Sequence, residues 1–296
     1  MKKSLIALAL AGAFAVPAFA QTSSSDATGA PPADTAEPAG PHTLTGNMTI
    51  ASSYRFRGID QTFGKPALQG GFDYTHSSGV YVGNWNSNVS SGAGFPDGNL
   101  EMDFYGGYKT TFGDFGVDVG AILYYYPGTQ AKVLGTNADE GAVNNKEVYL
   151  GASWKFVSLK YSYAFDDYFS LRGWDSTGAS TGKSTKGTSY LDLSANYDLG
   201  NGWGINGHVG HLNLKNGYKG DYTDWKIGVT KDINGWVLGL SYVDTNAAGR
   251  CSGASDYQFY CFTNSNSETA AGGINFGSKS KDAGRAIAVF SVSKTF

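Results

Sequence analysis

The chain has 296 residues, a formal net charge of −3, 16% charged side chains and a mean hydropathy of −0.26. That balance gives no basic footprint for nucleic acid and no acidic tail. A composition with 42 glycines and 14% aromatic side chains points instead to pleated structure, where Tyr, Phe, Trp and Val are favoured.

The first element stands at the N-terminus. Lys2 and Lys3 precede an apolar run from Leu5 to Val16 that closes on Pro17-Ala18-Phe19-Ala20. A basic start, a short apolar middle and an Ala-x-Ala end predict a signal peptide over 1–20, removed after Ala20, and hence export from the cytoplasm. A spanning helix needs roughly 20 apolar residues, and no later stretch approaches that length, so a mature chain held in a membrane must cross it with strands. Residues 21–42 are rich in Ala, Pro, Ser and Thr, which predicts a disordered linker in the periplasm. Loss of 1–20 leaves 20 basic and 25 acidic side chains, a net charge of −5.

Residues 43–296 carry a period-two signal. In the first segment Leu44, Met48, Ile50, Tyr54 and Phe56 share one face, and Thr45, Asn47, Thr49, Ser53, Arg55 and Arg57 share the other. A strand with lipid on one side and water on the other must alternate in this way for about ten residues. Twelve such segments are predicted, at 44–57, 67–77, 80–90, 99–111, 115–126, 146–156, 158–169, 187–199, 203–213, 222–232, 236–245 and 284–296. The connections alternate between tight turns, such as Gly200-Asn201-Gly202, and longer loops, the longest being 246–283. The expected fold is an all-β, transmembrane, antiparallel up-and-down β-barrel of about twelve strands, with short periplasmic turns and long extracellular loops.

The last segment turns Ala288, Phe290, Val292 and Phe296 outward, and a final strand ending in Phe296 is expected to engage the outer-membrane assembly machinery. Trp203, Trp236, Tyr81 and Phe115 follow tight turns and Trp154 precedes one, the places where an aromatic girdle meets the membrane interface. Cys251 and Cys261 share the longest loop. In an exported chain they are expected to form a local disulfide, tightening the loop by roughly 2–3 kcal/mol in the chain-entropy model.

Five stretches, Tyr54–Thr62 (YRFRGIDQT), Lys65–Ser77 (KPALQGGFDYTHS), Tyr81–Ser90 (YVGNWNSNVS), Leu100–Tyr108 (LEMDFYGGY) and Val119–Gly128 (VGAILYYYPG), resemble the TorF family of porin-like outer-membrane proteins, a proteobacterial family catalogued as conserved and hypothetical. The resemblance implies an outer-membrane barrel with a channel function. It brings no catalytic or ligand residues with it. Where other members often carry Gly or Thr, this chain has Asn84 and Asn86.

Barrels of eight strands are filled by side chains and those of sixteen to eighteen leave an aqueous channel, so twelve makes the lumen's contents decisive. Alternation points Asp73, Glu101, Asp103, Asp118, Glu147, Asp166, Asp192 and Asp198 inward, with Arg55, Arg57, Lys109, Lys155, Lys160, Lys226 and Arg285. Arg55, Arg57 and Arg285 are expected near the outer end with Glu101, Asp103, Glu147 and Asp166. Opposed charges at one level can set a transverse field for passing solutes, or can pair and plug the lumen. Asp73 and Lys226 complete the candidate pore lining. The expected function is passive passage of small solutes through an outer-membrane porin-like channel. The alternatives are a plugged barrel with a surface or adhesion role and, further off, a barrel enzyme, for which His208 on the inner face is the residue to test. No motif for a metal, a cofactor or a phosphate loop is present, and no enzymatic activity, cofactor or nucleic-acid partner is expected.

Overall fold

The structure, a computed structural model, describes residues 40–131, 141–271 and 273–296. The expected signal peptide at 1–20 and most of the expected linker at 21–42 lie outside the described residues. Twelve wall strands follow one another: β1 His42–Ala51, β2 Ala67–His76, β3 Val80–Asn88, β4 Leu100–Phe112, β5 Phe115–Tyr125, β6 Asn144–Trp154, β7 Val157–Ala164, β8 Ser189–Gly200, β9 Trp203–Asn213, β10 Tyr222–Ile233, β11 Trp236–Thr245 and β12 Ile287–Thr295. Each pairs antiparallel with its neighbours in sequence, and β12 returns to β1, so the sheet is a closed barrel without an edge. Closure uses the register Asn47 to Thr295 through Ala51 to Ser291, extended by the main chain of Phe296 bonding Gly46 at 3.0 and 2.9 Å.

Hydrophobicity is inverted relative to a water-soluble protein. Leu44, Phe72, Leu150, Ile227 and Phe290 stand outside and exposed, whereas Gln69, Glu101, Asp103, Glu147, Asp192 and Asp224 are buried inside. Each large apolar side chain moved from water to hydrocarbon contributes about 1.5–3 kcal/mol, so this surface is stable only against lipid. Strands of 8 to 13 residues suit a tilted crossing of about 9–11 residues.

One end carries the tight turns. The β10–β11 connection is the two residues Asn234 and Gly235, at φ 53° and 78°, the left-handed pair a two-residue hairpin demands. Trp154, Trp203 and Trp236 project outward at this end, and lysines Lys155, Lys231 and Lys294 lie over their rings at 4.7, 5.0 and 5.5 Å. Phe115 is exposed beside them. Tyr81, expected in the same girdle, instead points into the lumen, where its hydroxyl donates to Asp118 at 2.6 Å and meets the Tyr149 hydroxyl at 2.5 Å. Position two of β3 has inward parity, and that outweighs the ring's taste for the interface.

The first segment departs most from expectation. β1 ends at Ala51, and Ser52–Gly64 folds into the barrel as a small hairpin pairing Arg55–Phe56 with Ile59–Asp60. Tyr54, expected to face lipid, is 2% exposed inside. β7 likewise stops at Ala164, short of the expected 169, and β12 begins at Ile287 rather than 284.

Candidate functional site

The inward hairpin organises the lumen. Arg57, at φ 48°, sends its guanidinium across to β6, where Nη1 donates to Glu147 Oε1 at 3.0 Å and Nη2 to Oε2 at 2.7 Å. The two side chains are 7% and 2% exposed, so this is a buried bidentate pair. Asn145 Nδ2 also donates to Glu147 at 3.0 Å, and the cation lies over the Tyr190 ring at 4.3 Å. Arg57 also donates to the Tyr168 hydroxyl at 3.3 Å, a group that burial pushes up to about 12 and so keeps protonated at neutral pH.

Arg55 turns the other way, donating to the carbonyl of Ala283 at 2.8 Å with its Nη2 3.7 Å from Asp60. Asp60 takes a closer cation from Lys281 at 2.8 Å and accepts the main-chain N–H groups of Thr62 and Gly64 at 3.1 and 3.0 Å. Tyr54 donates to Glu101 Oε1 at 2.9 Å. Glu101 Oε2 and Asp103 Oδ1 are buried without a hydrogen-bond partner among the described residues. The hairpin is therefore tied to β4, to β6 and to the segment before β12 by ionic or charge-assisted contacts.

Across the lumen His208 sits between two acids, its Nδ1 2.7 Å from Asp192 and its Nε2 3.2 Å from Asp224, while Tyr190 donates to Asp224 at 2.8 Å. Ser194 bonds Asp192 and not the imidazole, so no hydroxyl is aligned on His208 as a nucleophile would be. His211 points outward to Thr223. Nearer the tight turns Tyr105 donates to Asp73 at 2.5 Å. The tyrosines of this wall lie over glycines of adjacent strands; a Cβ on Gly120 would sit 2.4 Å from the Tyr149 hydroxyl.

The wall from β9 round to β2 is different. Small polar side chains, among them Thr49, Gln69, Asn206, Ser241 and Ser291, together with the apolar Ala51, Val237 and Val243, line a cavity of about 120 Å³ that reaches Arg55 and Lys226. The outer half of the lumen carries two aromatic clusters, one around Tyr54, Trp85, Phe95 and Tyr124, the other around Tyr168, Trp174, Tyr222 and Tyr260.

Of the residues singled out from sequence, Arg57 and Glu147 are brought together and Glu101 and Asp103 stand on the same inner wall. Asp73 and Lys226 also face inward, nearer the turns and on the cavity wall respectively. Asp166 is placed outside the lumen, bound to the outward Lys146 at 2.7 Å; the end of β7 at Ala164 breaks the parity that would have turned it in. The Lys146 hydrogen bond holds its carboxyl below the usual carboxylate range. Arg285 is exposed just before β12, and its carbonyl accepts from Arg55 at 3.4 Å. Cys251 and Cys261 form a disulfide. Asn84 and Asn86 face outward, bonded to each other and to the carbonyls of Asp103 and Gly70. Asp224 was legible, since it shares the parity of Lys226 two residues on, and so was Tyr168, which has inward parity within the expected segment 158–169; Asp60 and Lys281 come from connections, where no alternation could mark them.

A family model described as a bacterial protein of unknown function matches residues 35–296. The TorF name is not confirmed by that match. No curated protein matches the chain. Among solved structures, the KdgM porin is 9% identical with a TM-score of 0.45, covering 86% of this chain and 97% of its own. The NanC porin is 10% identical with a TM-score of 0.46, covering 86% and 99%, and OmpT of Vibrio cholerae is 9% identical with a TM-score of 0.37, covering 86% and 97%. Likenesses at this level say nothing of bore or cargo here.

Proposed function

This chain belongs to the Gcw_chp family, bacterial proteins of unknown function, and with the chemistry left to the barrel itself we propose that it is a narrow outer-membrane channel for small solutes. The observation that carries this reading is the cavity of about 120 Å³, lined by apolar side chains interspersed with hydroxyl, amide and cationic ones, inside a closed barrel whose exterior is apolar. A space that size exceeds the ~10–15 Å³ needed for one water, and its hydroxyl and amide walls can hydrate it. The inward hairpin sets the bore. Arg55 and Lys226 on one side and Glu101, Asp103 and Glu147 on the other give a lumen of mixed charge, so passage would be steered by a transverse field more than by net charge. In this reading the tight turns face the periplasm, the export signal at 1–20 is removed, and the strand ending in Phe296 serves recognition by the assembly machinery.

The two aromatic clusters in the outer half favour a second reading, a barrel that does not conduct and works through its outer loops. Planar-bilayer recordings separate the two. Discrete ohmic steps, enlarged in Arg55→Ala/Arg57→Ala because the hairpin loses its ties, support the channel. A folded, heat-modifiable barrel that never conducts, in either form, rejects it.

A further inference from the structure

Above the inward hairpin, at the end carrying the long loops, lies a second chamber of about 280 Å³. Its floor is Phe56 and Ile59 of the hairpin, and its walls come from three loops far apart in sequence, through Phe95, Trp174, Phe259 and Phe262. Eleven aromatic side chains line it. Arg172 is the one charged residue among the described lining, and Asp167 already neutralises it at 3.1 Å.

The loops are pinned to one another before any ligand arrives. Trp174 Nε1 donates to the Tyr218 carbonyl at 2.9 Å, the Tyr260 hydroxyl donates to the Gly220 carbonyl at 2.5 Å, and Asp97 N–H donates to the Asn266 carbonyl at 3.0 Å. The Cys251–Cys261 disulfide closes the segment that supplies Phe259 and Tyr260. Phe169 holds its ring at the junction of Phe56, Phe95 and Tyr126 with a backbone φ of 48°, a region bulky residues avoid unless their surroundings impose it. At the rim Phe276 and Tyr257 remain 64% and 37% exposed. Pre-formed, mostly apolar and concave, with a few polar groups such as Gln61 and Asn266, the chamber has the make-up of a small-molecule site.

We infer that this chamber binds an uncharged ring compound of one or two fused rings, captured at the outer mouth of the barrel. Ring faces and edges attract another ring in offset or edge-on contact. A free ammonium would be desolvated there without a partner, and a carboxylate would have to compete with Asp167 for the one cation of the described lining. The volume corresponds to about nine waters, which admits a bicyclic molecule. This site goes beyond the channel reading and does not depend on it, because the chamber is built by the loops and the hairpin whether or not solutes pass beneath it.

Indole is a suitable probe. The full-length protein in lipid vesicles is dialysed to equilibrium against indole, with protein-free vesicles of the same lipid as reference. Saturable 1:1 binding above the lipid background is expected. Ser180→Trp, an exposed lining position, should fill the entrance and weaken binding at least tenfold while heat-modifiable migration shows the barrel intact, and Phe276→Ala should weaken it several-fold. Indole-3-acetate should bind at least tenfold more weakly than indole. Binding that never saturates, that is unchanged in both variants, or that is equal for the carboxylate overturns the assignment. Conductance is read separately, so a silent barrel that still binds indole rejects the channel and keeps the site.

Discussion

Removing the negative partner of Arg57 tests whether the buried ion pair holds the hairpin inside. In Glu147→Gln the side chain keeps its shape and loses its charge, leaving a guanidinium that is 7% exposed without its counter-ion. Breaking one half of a buried pair costs about 3–5 kcal/mol, whereas replacing both partners by apolar groups of similar volume is often neutral. If the open hairpin frees Arg57 into water, its population should rise by about two to three and a half decades, one decade per 1.4 kcal/mol. Trypsin reads that population through cleavage after Arg55, provided closing is fast compared with cutting. Cleavage mapped by mass spectrometry should be slow in the parent, faster by about two to three and a half orders in Glu147→Gln, and near the parent rate in Arg57→Met/Glu147→Met. Equal rates in the parent and Glu147→Gln would refute the latch. A double variant cut as fast as the single one would refute the desolvation argument behind it.

Ser291→Trp places an indole in the 120 Å³ cavity and should lower single-channel conductance several-fold without lowering the melting temperature of the barrel; an unchanged conductance moves the path elsewhere. Reducing the disulfide, whose cysteines are 10 residues apart, should remove roughly 3 kcal/mol from the local stability of the loop, seen as faster proteolysis between 246 and 286 with the barrel's heat-modifiable shift retained. The Lys146–Asp166 pair has a folded-state carboxyl lowered by its hydrogen bond, so its contribution is complete above the ordinary aspartate range and is lost as pH falls through the lowered value. With both side chains more than a third exposed, Asp166→Asn should cost under about 1 kcal/mol at neutral pH, and the difference from the parent should vanish in acid.

The wall was legible because lipid outside and polar lumen inside impose alternation on every strand. Each of the twelve segments read from sequence coincides with a wall strand, and β9 over 203–213 and β11 over 236–245 match at both ends. The lumen was harder to read. Tyr54, Arg55, Phe56 and Arg57 continue the alternation of β1, yet a two-sided hairpin inside a half-filled barrel satisfies the same pattern, one side on aromatic clusters and the other on charges. Only the third dimension distinguishes the two. Asp166 shows the converse, a correct parity counted two residues past the end of its strand. The aromatic chamber is assembled from loops with no period at all, so its rings were visible as composition and not as a site.

The lysine-capped tryptophans have a mechanical consequence. An indole prefers the headgroup boundary, and an ammonium lying over it can follow neither into hydrocarbon nor far into water, so each pair fixes a height. The three pairs belong to the ends of β6, β9 and β11, all within one half of the circumference. The opposite arc carries Leu44, Phe112 and Phe296 at the same end, side chains that gain by sinking deeper. Support is thus off-centre, as on a table with its legs along one side. In a bilayer thinner or thicker than its apolar belt, the molecule would answer the mismatch by leaning about the β6–β11 arc, and lipid thickness would set the angle at which the mouth meets the outside.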